Sequence, residues 1–403
     1  MRQGWEIKKL SEVCAKITDG THQTPKYFDE GVIFLSSKNV TSGKIDWDNI
    51  KFIDEKQHIE MHKRVAPKVG DILLAKNGTT GVAAMVDRDV VFDIYVSLAH
   101  LSPLKNISPF YLLHFINSPL AKNQFNKRLK GAGVPNLHLE EIREVEIPLP
   151  PLSEQQRIVA ILEEAFNAIS KAKANAEQNL KNAKELFESY LQGVFENKGE
   201  GWEEKTLGEV LLKTETIDPT KQPNTEFIYL DVSSVNKETK KIENATVLIG
   251  KNAPSRARKL IRTNDVIFAT VRPTHSRVAL ITEDYDEQVC STGYFVLRGK
   301  EFINNNFIFY FLLTYDFNRQ MEKLQKGASY PAVTDSEVKG IYIPYPKSLK
   351  EQQNIVQKLN ALSNETKKLE AIYQKKLEDL AELKKSILQK AFSGELTKQE
   401  VLA

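Results

Sequence analysis

The chain has 403 residues, enough for two or more domains, and its 41% hydrophobic and 27% charged residues are those of a folded protein, which excludes a disordered chain. A net charge of +3 creates no global field for nucleic acid, so any basic surface must be local. Cys14 and Cys290 stand far apart in no Cys-x-x-Cys or Cys/His pattern, which excludes a disulfide framework and argues against structural zinc; with no apolar leader and no apolar run of about 18 residues, the expectation is a cytoplasmic protein without a membrane span.

In chain order, Gly4-Trp5-Glu6 opens a globular part, 1–150, in which short apolar runs alternate with Gly, Pro, Asn and Asp. Val32–Leu35, Asp71–Ala75 and Val82–Val86 read as strands, and Phe110–Ile116 as a helix. Pro148, Pro150 and Pro151 then stop the chain from extending further, and Ser153 with Gln156 three residues on reads as a helix N-cap. No Pro or Gly follows until Gly193, so 151–198 is a long helical spacer. A second globular part, 199–347, holds a strand at Phe227–Leu230 and a helix at Phe307–Leu313; a second helical segment, 348–403, runs from about Leu349 to Phe392 and ends at Gly394.

The two halves are one unit written twice. Gly4-Trp5-Glu6 recurs as Gly201-Trp202-Glu203, and Gly70-Asp71-Ile72-Leu73-Leu74-Ala75 as Asn264-Asp265-Val266-Ile267-Phe268-Ala269. Gly131-Ala132-Gly133-Val134-Pro135 matches Gly327-Ala328-Ser329-Tyr330-Pro331, and Ile147-Pro148-Leu149-Pro150 matches Ile343-Pro344-Tyr345-Pro346. Glu154-Gln155-Gln156 returns as Glu351-Gln352-Gln353, and the offset stays between 194 and 197 throughout. Matches in constant order and register mark a tandem duplication.

In the second helix Leu362, Thr366, Leu369, Tyr373, Lys376, Leu380, Leu383 and Ile387 follow alternating steps of four and three; the matching set in the first is Ala165, Ile169, Ala172, Ala176, Asn179, Ala183, Leu186 and Tyr190. A large seam facing an Ala-rich one packs closely. The expected fold is α+β: two tandem α/β parts separated by two long helices that pair as an intramolecular antiparallel coiled coil with pseudo-twofold symmetry. Each helix spans about 66 Å at 1.5 Å per residue.

Two globular units, each ending in Ile-Pro-x-Pro and followed by Glu-Gln-Gln and a long helix, resemble the specificity subunit of Type I restriction-modification systems over essentially the whole chain. The second unit departs from the pattern at Lys347-Ser348, where the first has Pro151-Leu152. The resemblance implies that each globular part is a target-recognition domain reading one half of a split, asymmetric site in double-stranded DNA. It implies that the helices set the spacer and dock two methyltransferase (M) subunits, that restriction/translocase (R) subunits join this core, and that this chain performs no chemistry and needs no cofactor.

The residues themselves point the same way. There is no Gly-x-x-x-x-Gly-Lys-Ser/Thr loop, no Asn-Pro-Pro-Tyr-type tetrapeptide and no Pro-Asp…Glu-x-Lys pattern. His58 and His62 share a helical face, but no carboxylate-rich ligand set stands near them beyond Glu55 and Glu60, and they read as a solvated surface pair.

Residues 251–277 hold seven basic residues against one acid, Asp265. Arg272, Thr274, His275 and Arg277 form a loop after a strand and are the candidates for reading base edges; Arg256, Arg258 and Lys259 are candidates for phosphate. The matching loop of the first part offers Lys76, Asn77 and Thr79, although a plain hairpin turn explains it as well. Lys127, Arg128 and Lys130 precede a glycine-rich stretch that allows close backbone approach, and Tyr330 sits at the equivalent tip of the second part. Thr18–His22 reads equally as a DNA loop or an Asx-type turn. Two other functions compete: a coiled-coil adaptor that binds no DNA, against which the basic cluster argues, and the recognition part of a fused methyltransferase-nuclease, for which Gly4-Trp5 leaves no room upstream.

Overall fold

The computed structural model describes residues 4–129 and 136–397. Two compact units emerge, one made of Met1–Ala176 with Lys375–Ala403, the other of Glu177–Gln374.

The strands of the first unit are β1 (Glu6–Lys9), β2 (Cys14–Asp19), β3 (Val32–Leu35), β4 (Lys51–Ile53), β5 (Ile72–Ala75), β6 (Ala83–Met85), β7 (Phe92–Ile94), β8 (Leu98–Pro103) and β9 (Glu146–Leu149). An antiparallel sheet runs β2-β8-β5-β6, a second runs β4-β3-β7 with β3 and β7 parallel, and β1 pairs with β9, tying the start of the unit to its end. Strand β5 reads as an unbroken apolar run because both its faces are covered. Ile72 and Leu74 enter one core, and Leu73 and Ala75 enter another. Fully burying each of these larger side chains contributes about 1.5–3 kcal/mol.

The helices are α1 (Leu10–Val13), α2 (Glu55–His62), α3 (Pro109–Ile116), α4 (Pro119–Arg128), α5 (Leu139–Arg143) and the long α6 (Leu152–Glu196). Both α3 and α4 start with a Ser-Pro pair. Ser108 and Ser118 accept from the amides of Tyr111 and Ala121, while the proline supplies a preset φ where no N–H is needed.

The second unit repeats the plan with β10 (Trp202–Thr206), β11 (Glu226–Leu230), β12 (Thr246–Ile249), β13 (Ala257–Leu260), β14 (Val266–Ala269), β15 (Val278–Leu280), β16 (Val289–Ser291), β17 (Tyr294–Leu297) and β18 (Tyr342–Pro346). Its helices are α7 (Leu207–Val210), α8 (Asn305–Phe311), α9 (Tyr315–Leu324), α10 (Asp335–Lys339) and the long α11 (Leu349–Ser393). The sheets are β12-β11-β16-β13, β15-β14-β17 and β10-β18. β14 is the counterpart of β5: Val266 and Phe268 face one core, Ile267 and Ala269 the other.

Each unit's main core takes side chains from both long helices. Ile158 and Leu162 of α6 join Leu388, Ala391 and Phe392 of α11 in the first unit; Leu191 and Phe195 of α6 join Val356 and Leu359 of α11 in the second. The start of one helix thus packs with the end of the other in both units, which makes the pairing antiparallel.

The heptad seam needs correction. Ala176, Ala183 and Thr366 are buried, but Leu186, Tyr190, Leu369 and Leu383 are exposed, and Leu180 and Phe187 take the half-buried places. In α6 the buried face slips by one residue after Ala176, to Leu180, Phe187 and Leu191, as expected of a straight helix that drifts about 20° per heptad against a strict seven-residue repeat. In α11 Thr366, Tyr373, Leu380 and Ile387 keep the seven-residue spacing on the buried side, and only the alternate positions Leu369, Lys376 and Leu383 turn outward. One further detail differs. Helix α6 begins at Leu152, so Ser153 lies inside it and is not its cap; its end at Glu196, past Gly193, falls within the expected 151–198 spacer.

The repeated Glu-Gln-Gln has a physical reason. The buried Gln155 donates to the carbonyls of Pro150 at 2.9 Å and Asn106 at 3.4 Å, and accepts from the Ser108 amide at 2.9 Å. Gln352 does the same with Pro346 (2.8 Å), Phe302 (3.0 Å) and the Asn304 amide (2.7 Å). One amide therefore fastens each long helix to its globular part. Gln352→Ala leaves buried backbone groups unpaired and should cost the second unit about 2–3 kcal/mol, measured by denaturant unfolding, while the isosteric Gln352→Glu should also destabilise because it loses the donor.

Candidate nucleic-acid interface

The hairpin loop that joins β14 to β15 is held in an unusual backbone shape. Arg272 and Ser276 both have left-handed dihedrals, φ 50° and 48°, on either side of a 3-10 turn at Pro273–His275. Non-glycine residues hold such angles only where surrounding contacts impose them. Here the contacts come from the 326–333 loop: the Arg272 amide donates to the Pro331 carbonyl at 2.7 Å and the Val333 amide to Thr270 at 2.9 Å. The Arg272 guanidinium lies 5.0 Å from the centre of the Tyr330 ring, and Tyr330 is 72% exposed. An exposed arginine over an exposed tyrosine offers planar donors and an aromatic face together, the groups that bind base edges, stacked bases or phosphate.

The same loop brings His275 to the surface and leaves Thr274 half-buried. Arg277 departs from the expectation of a base reader. Its guanidinium donates to the Val235 carbonyl, and Lys240 donates to the Ser276 carbonyl at 2.7 Å, so both brace the loop from beneath. Burial pushes the Lys240 ammonium down to about 8.

The wider basic cluster is less free than its local composition suggests. Arg258 pairs with Asp218 at 3.6 Å and donates to the Ala257 carbonyl; Lys259 pairs with Asp335 at 2.6 Å; Arg262 pairs with Glu215 at 3.4 Å. These acids lie tens of residues away in the chain and were invisible to a count over 251–277. Arg256 is exposed, with no ion pair among the described residues.

In the first unit the corresponding loop, between β5 and β6, turns through Gly78 and Gly81 at φ 75° and 78°, and lifts Thr79 to the surface. Asn77 is half-buried and bridges to Asn136. Lys76 is corrected: its ammonium is buried 3.1 Å from the buried Asp19 carboxylate. Asp19 also takes hydrogen bonds from Arg64 and, at 3.2 Å, His22. Burial opposes its charge, but the donors from Arg64, Lys76 and His22 prevail and hold its carboxyl below the usual range. The Thr18–His22 segment is thus an ion-pair anchor, which no local pattern announced. Lys127 is exposed at the end of α4, whereas Arg128 turns back to the Gln124 carbonyl at 3.2 Å. Lys130 and the Gly131–Pro135 stretch lie outside the described residues.

His58 and His62 are a further correction. They are not a solvated pair but point their Nδ1 atoms at the two oxygens of buried Asp93, at 2.7 and 3.0 Å. Both cysteines are buried free thiols, each pushed up by burial to about 12. No helix among the described residues is long and apolar enough to cross a membrane.

This duplicated architecture has relatives. A family model described as "Type I restriction modification DNA specificity domain" matches residues 2–179 and again 199–391. The chain belongs to that family of Type I restriction-modification specificity subunits, which are non-catalytic; it is not an enzyme. It is 23% identical to the Type I restriction enzyme StySPI specificity subunit of Salmonella potsdam, across 98% of this chain and 90% of that one. It is 24% identical to the MjaVIII specificity subunit of Methanocaldococcus jannaschii, across 83% and 81%. In fold it is similar to the HsdS subunit from Thermoanaerobacter tengcongensis, with a TM-score of 0.62 at 21% identity over 98% of both chains. A chain from a study of complex assembly and conformational transition of the type I R-M system gives a TM-score of 0.75 at 20% identity, over 98% of this chain and 99% of that one.

Proposed function

We propose that this chain recognises a bipartite, asymmetric site in double-stranded DNA, each unit reading one half, as the specificity subunit of a cytoplasmic complex with two M subunits and with R subunits. The observation that carries this reading is the paired hairpin loop. Both units place a loop at the same point of the same fold, β5 to β6 and β14 to β15, yet one displays Asn77, Gly78 and Thr79 and the other Arg272, Thr274 and His275. One scaffold with two different reading loops suits two different half-sites. The long helices α6 and α11 set the spacer between the halves and dock the M subunits.

Within the second unit the contact set narrows to Arg272, His275, Tyr330 and Arg256, with Arg277, Arg258 and Lys259 holding the loop and its surroundings in place. In the first unit Thr79, Asn77 and Lys127 remain, with Lys130 alongside them in sequence. Arg272→Ala should weaken binding of the cognate site by about 1–3 kcal/mol and relax selection in one half only. Arg256→Ala should weaken all sequences alike and flatten the salt dependence. Binding isotherms of the methyltransferase complex on cognate and half-mutated duplexes at several salt concentrations check this. Unchanged affinity and discrimination in Arg272→Ala would remove the loop from the reading surface.

A further inference from the structure

Helix α2 lies across one face of the β4-β3-β7 sheet. Its Met61 packs with Phe34 and Ile53, and the same face of the helix, three residues back and one residue on, carries His58 and His62. Asp93 stands beside Phe34 in the parallel β3–β7 register, so it points to that face while Phe92 and Ile94 enter the core on the other side. The Asp93 carboxylate is 1% exposed, and among the described residues its side-chain partners are the two imidazoles. A buried carboxylate is costly unless positive charge accompanies it. Among the described residues no lysine or arginine reaches this one, unlike Asp19, which has both.

From this geometry we propose that His58, His62 and Asp93 bind a divalent transition metal of the zinc class. Two imidazoles with one carboxylate make a borderline nitrogen-and-oxygen set that suits Zn2+ and disfavours Mg2+ or Ca2+, which take oxygen ligands. One ligand atom from each residue lies within 4.8 Å of the other two. Tetrahedral Zn2+ with bonds of about 2.0–2.1 Å holds its ligands about 3.4 Å apart, so the rings need only a small turn to close on an ion. His58 is 15% and His62 32% exposed, which leaves solvent access on one side for entry and for a fourth, water ligand. The ion supplies positive charge beside the buried carboxylate and staples α2 to β7. The segment that follows α2 carries Arg64, the guanidinium bound to Asp19, so the staple stiffens the region beside the first unit's loop.

The test uses the untagged full chain, stripped with a chelating resin. Zn2+ is titrated against a chromogenic chelator, and Co2+ is added separately as a spectroscopic substitute. One equivalent of Zn2+ per chain is expected, with a rise in the first unit's melting temperature and a visible Co2+ absorption of four-coordinate intensity. His62→Ala and Asp93→Asn should each weaken uptake by at least about tenfold. His62→Gln, at the more exposed ligand, serves where either variant fails to fold by circular dichroism. The proposal is overturned if the stripped wild type takes up no Zn2+ or Co2+ at tenfold excess over micromolar protein. It is also overturned if folded variants bind with unchanged stoichiometry and affinity.

Discussion

Asp19→Asn should destabilise the first unit by about 3–5 kcal/mol, because it removes one partner of a buried ion pair and leaves the other charged. Lys76 is 6% exposed with its ammonium aimed at Asp19, and the amide that replaces the carboxylate offers it no counter-charge. Arg64 and His22, which also donate to Asp19, lose their anchor in the same step. Hydrogen exchange of β2 and β5, the strands that end at Asp19 and just before Lys76, reports the loss in this unit alone. The pH dependence follows from the lowered Asp19 pKa. A carboxyl held below its unfolded value contributes stability that is full above about pH 4 and is lost as pH falls through the folded pKa. Wild-type protection should therefore fall on acidification below about pH 4, and Asp19→Asn should flatten that fall. Equal protection of wild type and variant at neutral pH would show that the pair contributes nothing.

Inserting seven residues after Asn179 in α6 should change which DNA is marked without changing either half-site. A helix rises 1.5 Å per residue, so the insertion adds about 10 Å, comparable to about three base pairs. Helix α11 does not grow, so part of the added segment bulges and the spacer is expected to lengthen by about one to three base pairs. A four-residue insertion should also lengthen it, at a cost in stability, since it rotates the buried face carrying Ala176 and Ala183. Methylation-site mapping of the variant with its methyltransferase partner checks this. An active variant that marks the original spacer would show that the helix does not set the distance.

Much of the architecture was legible in the residues. The duplication, the two long helices and the paired strands at Ile72–Ala75 and Val266–Ala269 depend on repetition and periodicity, which the chain carries in its residue order without any contact made by folding. The interface was less legible for a reason of the opposite kind. Whether an arginine is free depends on acids brought up by the fold: Asp218 for Arg258, Asp335 for Lys259, Asp19 for Lys76. None of these pairs lies within a window that a composition count covers. The Asp93 cluster was hidden likewise, because its carboxylate comes from a strand 31 residues beyond His62. Gln155 and Gln352 were visible as a repeated motif, but their role as backbone clasps needed the loops at Asn106 and Phe302 in place.

If two different loops on one repeated scaffold read two different half-sites, the DNA marked in a host carries the signature of both. The most direct measurement is single-molecule methylome mapping of a host carrying this chain with its methyltransferase partner, beside the same host carrying Arg272→Ala. The wild type should give one bipartite, non-palindromic motif, and the variant a motif relaxed in one half with the other half and the spacer unchanged. A contiguous or palindromic motif, or a variant altered equally in both halves, would contradict it.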